Sequence, residues 1–368
     1  MTKEKEMKKM KKALALTLAT VVAVGMMSIV SSAGEDTAVV YDGPEMTLTV
    51  NFASAEYNNA YMVAAFDRIT ERTDGKVQFD VSYSSGILSL AEALDGLANG
   101  VVDISDITLS NYPETFVYTT QMCAYPFIGF QDILSANDIV RDVIVNNRND
   151  LMESEFTNAG IRCFFTSAIY GSCFICKDDI TIKKPEDLKG LKVMTQDLIL
   201  SPFITSEGGS PVAQPVIEMF SALNNGVVDC AFNGANVAQA FGAIDIAKSI
   251  WKFETDLSTH IKTCCINLDV WNSFTPELQQ IWDEEMGDGL YADFKEFVAS
   301  QEETMWGEFD ASETLIVDMI TNEDIEAWKE AITPFADARM EELRASSPDV
   351  DAAKAIWDEA IATYYGEK

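Results

Sequence analysis

Positive charge and imidazole are scarce in this 368-residue chain: 26 Lys and Arg stand against 59 Asp and Glu, the net charge is −33, and there is one histidine. Nucleic acid is therefore excluded as a partner, because no basic footprint exists to neutralise phosphates. A single imidazole, His260, leaves no His and Cys cluster for zinc. It is also the only imidazole available to activate a nucleophile, and Cys265 lies too near it in an alternating run to form a dyad. Neither a Gly-x-Gly-x-x-Gly turn nor a Gly-Lys-Ser loop is present, so an enzyme is not expected and no cofactor or metal is called for. Beyond residue 33 no apolar run approaches the length that spans a bilayer.

The one long apolar run comes first. Lys8, Lys9, Lys11 and Lys12 precede Ala13 to Val24, and small residues end at Ser31-Ser32-Ala33. This order reads as a secretory signal peptide, residues 1–33, with an uncleaved anchor as the alternative. Its removal takes six Lys and two acidic residues and leaves 20 basic against 57 acidic side chains, a charge of −37. That acidity reads as solubility or a salty habitat.

Cysteines number seven, so they cannot all pair within the chain. Most sit among apolar neighbours and read as small buried hydrophobes. Cys173-Phe174-Ile175-Cys176 has the spacing of a redox pair, yet it lies in a strand-like run without the helix start that lowers a thiol pKa.

Met46 to Phe52 alternates as a strand, Asn58 to Thr73 as a helix, Val77 to Tyr83 as a strand, Leu90 to Leu97 as a helix, and Val101 to Ile107 as a strand. That βαβαβ order predicts a parallel sheet. The pattern returns downstream, with strands at Leu191 to Thr195, Val212 to Gln214 and Val227 to Phe232, and helices at Leu198 to Ser206 and Ile217 to Asn225. Leu97-Ala98-Asn99-Gly100-Val101-Val102-Asp103 matches Leu223-Asn224-Asn225-Gly226-Val227-Val228-Asp229 at every position but one, which argues for two similar lobes. Helical spacing then runs through Pro276 to Glu303, Asn322 to Ser346 and Asp349 to Tyr365, and the first of these is long enough to lie across both lobes.

Ligands of open parallel sheets occupy the crevice at the carboxyl ends of the strands. This rule nominates Phe52, Ser54, Ser85, Asp106 and Thr108 from the first lobe and Met194, Gln196, Val216, Phe232 and Asn233 from the second. Helix starts at Asn58, Leu198 and Val216 are expected to aim free N–H groups at the same place.

The run Lys184-Pro185-Glu186-Asp187-Leu188-Lys189-Gly190-Leu191-Lys192-Val193, with Ser210-Pro211, Glu218 to Leu223 and Gly226 to Asp229, resembles the solute-binding subunits of tripartite ATP-independent periplasmic (TRAP) transporters. Tyr125-Pro126-Phe127 and Ser273 to Glu277 belong to the same resemblance, which extends from about Met46 to the C-terminal helices. It implies an α/β fold, a two-lobed clamshell whose sheets are flanked by helices and bridged by a long helix. It further implies a periplasmic location, a monomer, and delivery of a small organic solute to a membrane permease. The lobes are then residues 46–170 plus about 259–298, and 171–258 plus about 299–366, after a flexible segment at 34–45.

Two positions depart from that family. Where members that bind organic acids carry an Arg after the Leu-Lys-Val type strand, this chain has Met194; a second common Arg falls at Cys173. Asn233 is retained. A guanidinium fork grips a carboxylate bidentately and neither Met nor Cys replaces it. A neutral or amine-bearing solute is therefore expected, with Phe52, Tyr170, Phe232 and Met194 as apolar or cation-π contacts. The alternatives are a carboxylate held by Asn233, Thr108 and helix N–H groups, or service to an ATP-driven importer or a sensor.

Overall fold

The computed structural model describes residues 39–366 except Tyr170. The expected signal peptide and Tyr170 lie outside the described residues. Alternation makes β1 (Met46–Asn51) and β2 (Val77–Ser82), and the intervening helix Ala60–Arg72 buries Met62, Ala65, Phe66 and Ile69 on one face. The stretch read as a strand from Val101 starts pairing only at β3 (Ile104–Thr108). The cause is Asp103, whose N–H donates to the Thr49 carbonyl at 2.9 Å while its carboxylate accepts the Thr49 N–H at 2.7 Å.

The second lobe repeats this corner. Asp229 donates its N–H to the Lys192 carbonyl at 2.8 Å, and its carboxylate accepts the Lys192 N–H at 2.9 Å. Gly100 and Gly226, at φ +71 and +69, end the preceding helices in the left-handed conformation. The repeated sequence thus marks equivalent corners of two sheets.

The remaining strands are β4 (Ile161–Ile169), β5 (Ser172–Cys176), β6 (Lys192–Met194), β7 (Ser210–Val212), β8 (Cys230–Gly234), β9 (Ser249–Phe253), β10 (His260–Asn267) and β11 (Ile316–Ile320). One sheet has the order β2-β1-β3-β10-β4 and the other β11-β9-β5-β8-β6-β7. Neither is wholly parallel. The chain leaves the first sheet after β4 and returns to it at β10, so β5 and β10 enter as antiparallel strands.

Asp256 ties the two crossings side by side. Its carboxylate accepts the Ser172 N–H at 2.8 Å and the Thr259 hydroxyl at 2.6 Å, and the Ser172 hydroxyl donates to the Ser258 carbonyl at 2.6 Å. Burial pushes the Asp256 carboxyl pKa up.

The helix expected over Pro276 to Glu303 is broken. Gly287, at φ −83 and ψ −132, separates Pro276–Glu284 from Leu290–Asp310. The second piece has 21 residues, about 32 Å at 1.5 Å per residue. Near its start Phe294 packs 5.0 Å from Phe165 and 5.1 Å from Tyr61, while Met305 and Phe309 enter a core of the second lobe. It therefore bridges the lobes. The helix Asn322–Ser346 does so as well, with Ile325, Trp328, Ile332 and Ala336 in a second-lobe core and Met340 and Leu343 in the first.

Two boundaries differ from the sequence reading. The helix Val350–Gly366 was grouped with the second lobe, but it folds back on the first, where Val350, Ala353, Trp357 and Ile361 are buried. Its apolar stripe meets the core beneath Tyr118, whose carbonyl accepts the Trp357 indole N–H at 3.0 Å. Part of the segment expected to be flexible is pinned: Tyr41 is buried, its hydroxyl donates to the Pro44 carbonyl at 2.7 Å, and Asp42 pairs with Lys76 at 2.9 Å.

Candidate functional site

Register decides which side chains meet at the first-lobe strand ends. Thr108 stands opposite Lys262 and Asp106 opposite Cys264, while Lys262 and Cys264 stand opposite Ser167 and Phe165. Because side chains alternate, these six share one face. Tyr61, Asn59 and Phe52 close a small recess over it.

Asp106 sits at the floor of the recess and is only 3% exposed. Its Oδ1 accepts the Ala53 N–H at 2.9 Å and its Oδ2 lies 2.6 Å from Lys262 Nζ. The two form an ion pair, and the Lys262 side chain is 29% exposed. Tyr61 packs at tilted angles among Phe165, Phe294 and Phe297, at 5.6, 5.1 and 5.4 Å, and burial pushes its phenol pKa up.

The remaining first-lobe nominees lie at the same corner. The Asn59 amide donates to the Ser54 hydroxyl at 3.0 Å, and the Ser85 N–H donates to the Phe52 carbonyl at 3.0 Å. Phe52 is mainly core, stacked 6.3 Å from Phe66.

In the second lobe Cys173 stands opposite Asn233 and Met194 opposite Ala231. Cys173, Met194 and Asn233 thereby share a face. Cys173 and Met194 are buried in an apolar cluster with Ile175 and Met219. The Cys173 thiol donates to the Asn233 carbonyl at 3.1 Å, and burial pushes its pKa up. Lys252, cross-strand from Cys173, belongs to that face too. Its ammonium lies 4.2 Å over Trp306, whose indole donates to Glu302 at 2.9 Å. Burial raises the Glu302 carboxyl pKa, and Lys252 draws it partly back.

Other nominees point elsewhere. Phe232, one residue before Asn233, faces the opposite side of the sheet and packs 5.1 Å from Phe174 in a separate core. Gln196 is exposed and donates to the Gln214 carbonyl at 2.9 Å. Val216 is half-buried against the Met194 cluster. The N–H groups expected to be free near Leu198 are occupied, because Asp197 accepts those of Ile199 and Leu200 at 2.8 and 2.7 Å. Asp197 also lies 4.0 Å from His260 on the returning strand.

Lys262, Lys252, Tyr61 and Asn59 escaped the sequence reading. The available signal was a lone Lys in each of two largely buried strands, His260–Asn267 and Ser249–Phe253. Among the described residues no group of His, Cys, Asp and Glu is arranged to hold a metal, and no helix is long and apolar enough to cross a membrane.

Solved structures share this architecture. A TRAP solute-binding protein from Rhodoferax ferrireducens, solved with copurified benzoate, superposes with a TM-score of 0.73 at 17% identity over 88% of this chain and 99% of that one. A TRAP periplasmic solute-binding protein from Desulfovibrio salexigens, in an open complex, gives 0.69 at 22% identity over 88% and 98%. One from a Sulfitobacter species with bound β-D-galacturonate gives 0.69 at 18% identity over 85% and 100%. These likenesses establish the two-lobed binding-protein fold. A family model described as bacterial extracellular solute-binding protein, family 7, matches residues 53–343, and the chain belongs to that family of solute receptors rather than to an enzyme family.

Proposed function

We propose that this chain captures a small neutral or amine-bearing organic solute, with an apolar or aromatic portion, between its lobes and delivers it to a TRAP permease. The observation that carries the ligand class is the Lys262 and Asp106 pair at 2.6 Å. It offers donors without net charge, while Met194 and Cys173 leave an apolar patch where an Arg fork would sit. An ammonium group on the solute finds aromatic faces at Tyr61 and Phe165, and an oxygen finds Lys262 and Asn233. Closure follows bending at the two crossings that Asp256 ties together.

A second reading, capture of an organic acid, is favoured by the partly exposed ammonium of Lys262. The relatives solved with benzoate and β-D-galacturonate hold carboxylates, in contrast to the proposed class. Titration calorimetry with solutes of one skeleton, bearing an ammonium, a carboxylate, both or neither, separates the two. Binding by the purely anionic member alone overturns the first reading.

A further inference from the structure

Four of the cysteines meet in pairs that only strand register reveals. Cys176 stands opposite Cys230 in the β5 and β8 ladder, and Cys163 opposite Cys265 in the β4 and β10 ladder. Antiparallel ladders alternate between pairs that exchange two backbone hydrogen bonds and pairs that exchange none. The unbonded pairs bring Cα atoms within about 4.5 Å, with side chains closest.

Both cysteine pairs are of the unbonded kind. Beyond Cys176 and Cys230 the next pair is Lys177 and Asp229, where the Lys177 N–H donates to the Asp229 carbonyl at 3.2 Å. In the first lobe the Leu268 N–H donates to the Gly160 carbonyl at 3.0 Å. Counting inward past Asn267 with Ile161 and Ile266 with Arg162 reaches Cys265 with Cys163 at an unbonded position. A separation of about 4.5 Å falls within the roughly 4.4 to 6.8 Å that a disulfide spans.

All four are free thiols in the structure, where Cys163 donates to the Phe165 carbonyl and Cys265 to the Thr263 hydroxyl, each at 3.3 Å. Cys173 and Cys264 face Asn233 and Phe165 instead. Neither pair lies at a crossing: Cys176 ends β5, and Cys265 lies near the far end of β10.

We propose that the exported chain carries two cross-strand disulfides, Cys163 with Cys265 and Cys176 with Cys230, one within each lobe. Each bridge forms by exchange: one thiolate attacks an oxidised disulfide of the extracytoplasmic folding machinery, and the partner thiolate displaces it. Two thiols thereby lose two protons and two electrons, and the oxidant is reduced to a dithiol. Because all four residues are fully buried in the folded chain, exchange accompanies folding. Export supplies the oxidising compartment, so the proposal rests on the extracellular family and not on the ligand class.

The test uses the full chain exported by a bacterial host, unfolded without reductant and alkylated with iodoacetamide. Intact mass is expected to show three alkylated cysteines out of seven, those at Cys123, Cys173 and Cys264, and all of them after reduction. Peptide mapping is expected to link Cys163 to Cys265 and Cys176 to Cys230, and Cys230→Ala to free Cys176 alone. Complete alkylation of the unreduced chain, or bridges between other partners, overturns the proposal. If the mass shows that the leader is retained and the chain was not exported, refolding the reduced chain in glutathione disulfide gives the same two outcomes.

Discussion

Lys262 Nζ lies 2.6 Å from Asp106 Oδ2, joining an ammonium on the returning strand to a carboxylate at the end of β3. A solute therefore meets this wall as a neutralised pair. Asp106→Asn keeps an acceptor for the Ala53 N–H and leaves Lys262 unpaired. Affinity for a carboxylate over its neutral analogue should then rise about tenfold, roughly 1.4 kcal/mol, as measured by calorimetry. An unchanged preference would detach the pair from the site.

Asn233→Ala should weaken solute binding by about 1 to 3 kcal/mol through a lost buried hydrogen bond. Met194→Arg, on the same face of the second sheet, should move preference toward carboxylates. Calorimetric titration reads both effects. Wild-type behaviour in the two variants would remove this face from the cleft.

Asp256→Ala leaves the Ser172 N–H and the Thr259 hydroxyl without their partner. About 1 to 3 kcal/mol of stability should be lost for each buried group left unsatisfied, and the crossings should loosen. Urea melts check the first effect. Small-angle scattering with saturating solute checks the second, and normal compaction would show that Asp256 does not govern closure.

Glu155 titrates at about 7, raised from 4.5 by burial that outweighs its hydrogen bonds from Thr119 and Tyr118. Since the folded value lies above the unfolded one, this residue's contribution is fully present below about 4.5 and is lost as pH rises through about 7. A shift of that size is on the order of 3 kcal/mol. The wild type should thus gain more urea resistance between pH 8 and pH 5 than Glu155→Gln does. Parallel gains would mean that the burial penalty is relieved elsewhere.

Local patterns carried much of the architecture. The alternation at Met46 to Phe52, the helical face of Tyr61 to Ile69 and the repeated Asn-Gly-Val-Val-Asp corner all encode contacts made near in sequence. Asp103 and Asp229 show the limit of such reading, since each delays its strand by binding backbone 54 and 37 residues earlier, respectively. Lys262 was invisible for a related reason. Its place beside Asp106 depends on how β10 registers against β3, and no periodicity within His260 to Asn267 states that register. The cysteine pairs were hidden likewise. The break at Gly287 was missed because apolar spacing continues across it from Trp282 to Leu290 while the backbone does not.

The indole of Trp357 reaches a carbonyl at Tyr118 across 239 residues of chain, and β10 must return before the first sheet is whole. No early stretch of the polypeptide can therefore complete its own core while synthesis continues. Such delayed closure, imposed by contacts of high sequence separation, slows folding of the first lobe relative to a core built from neighbouring segments. The first lobe's core is complete only when the last helix arrives.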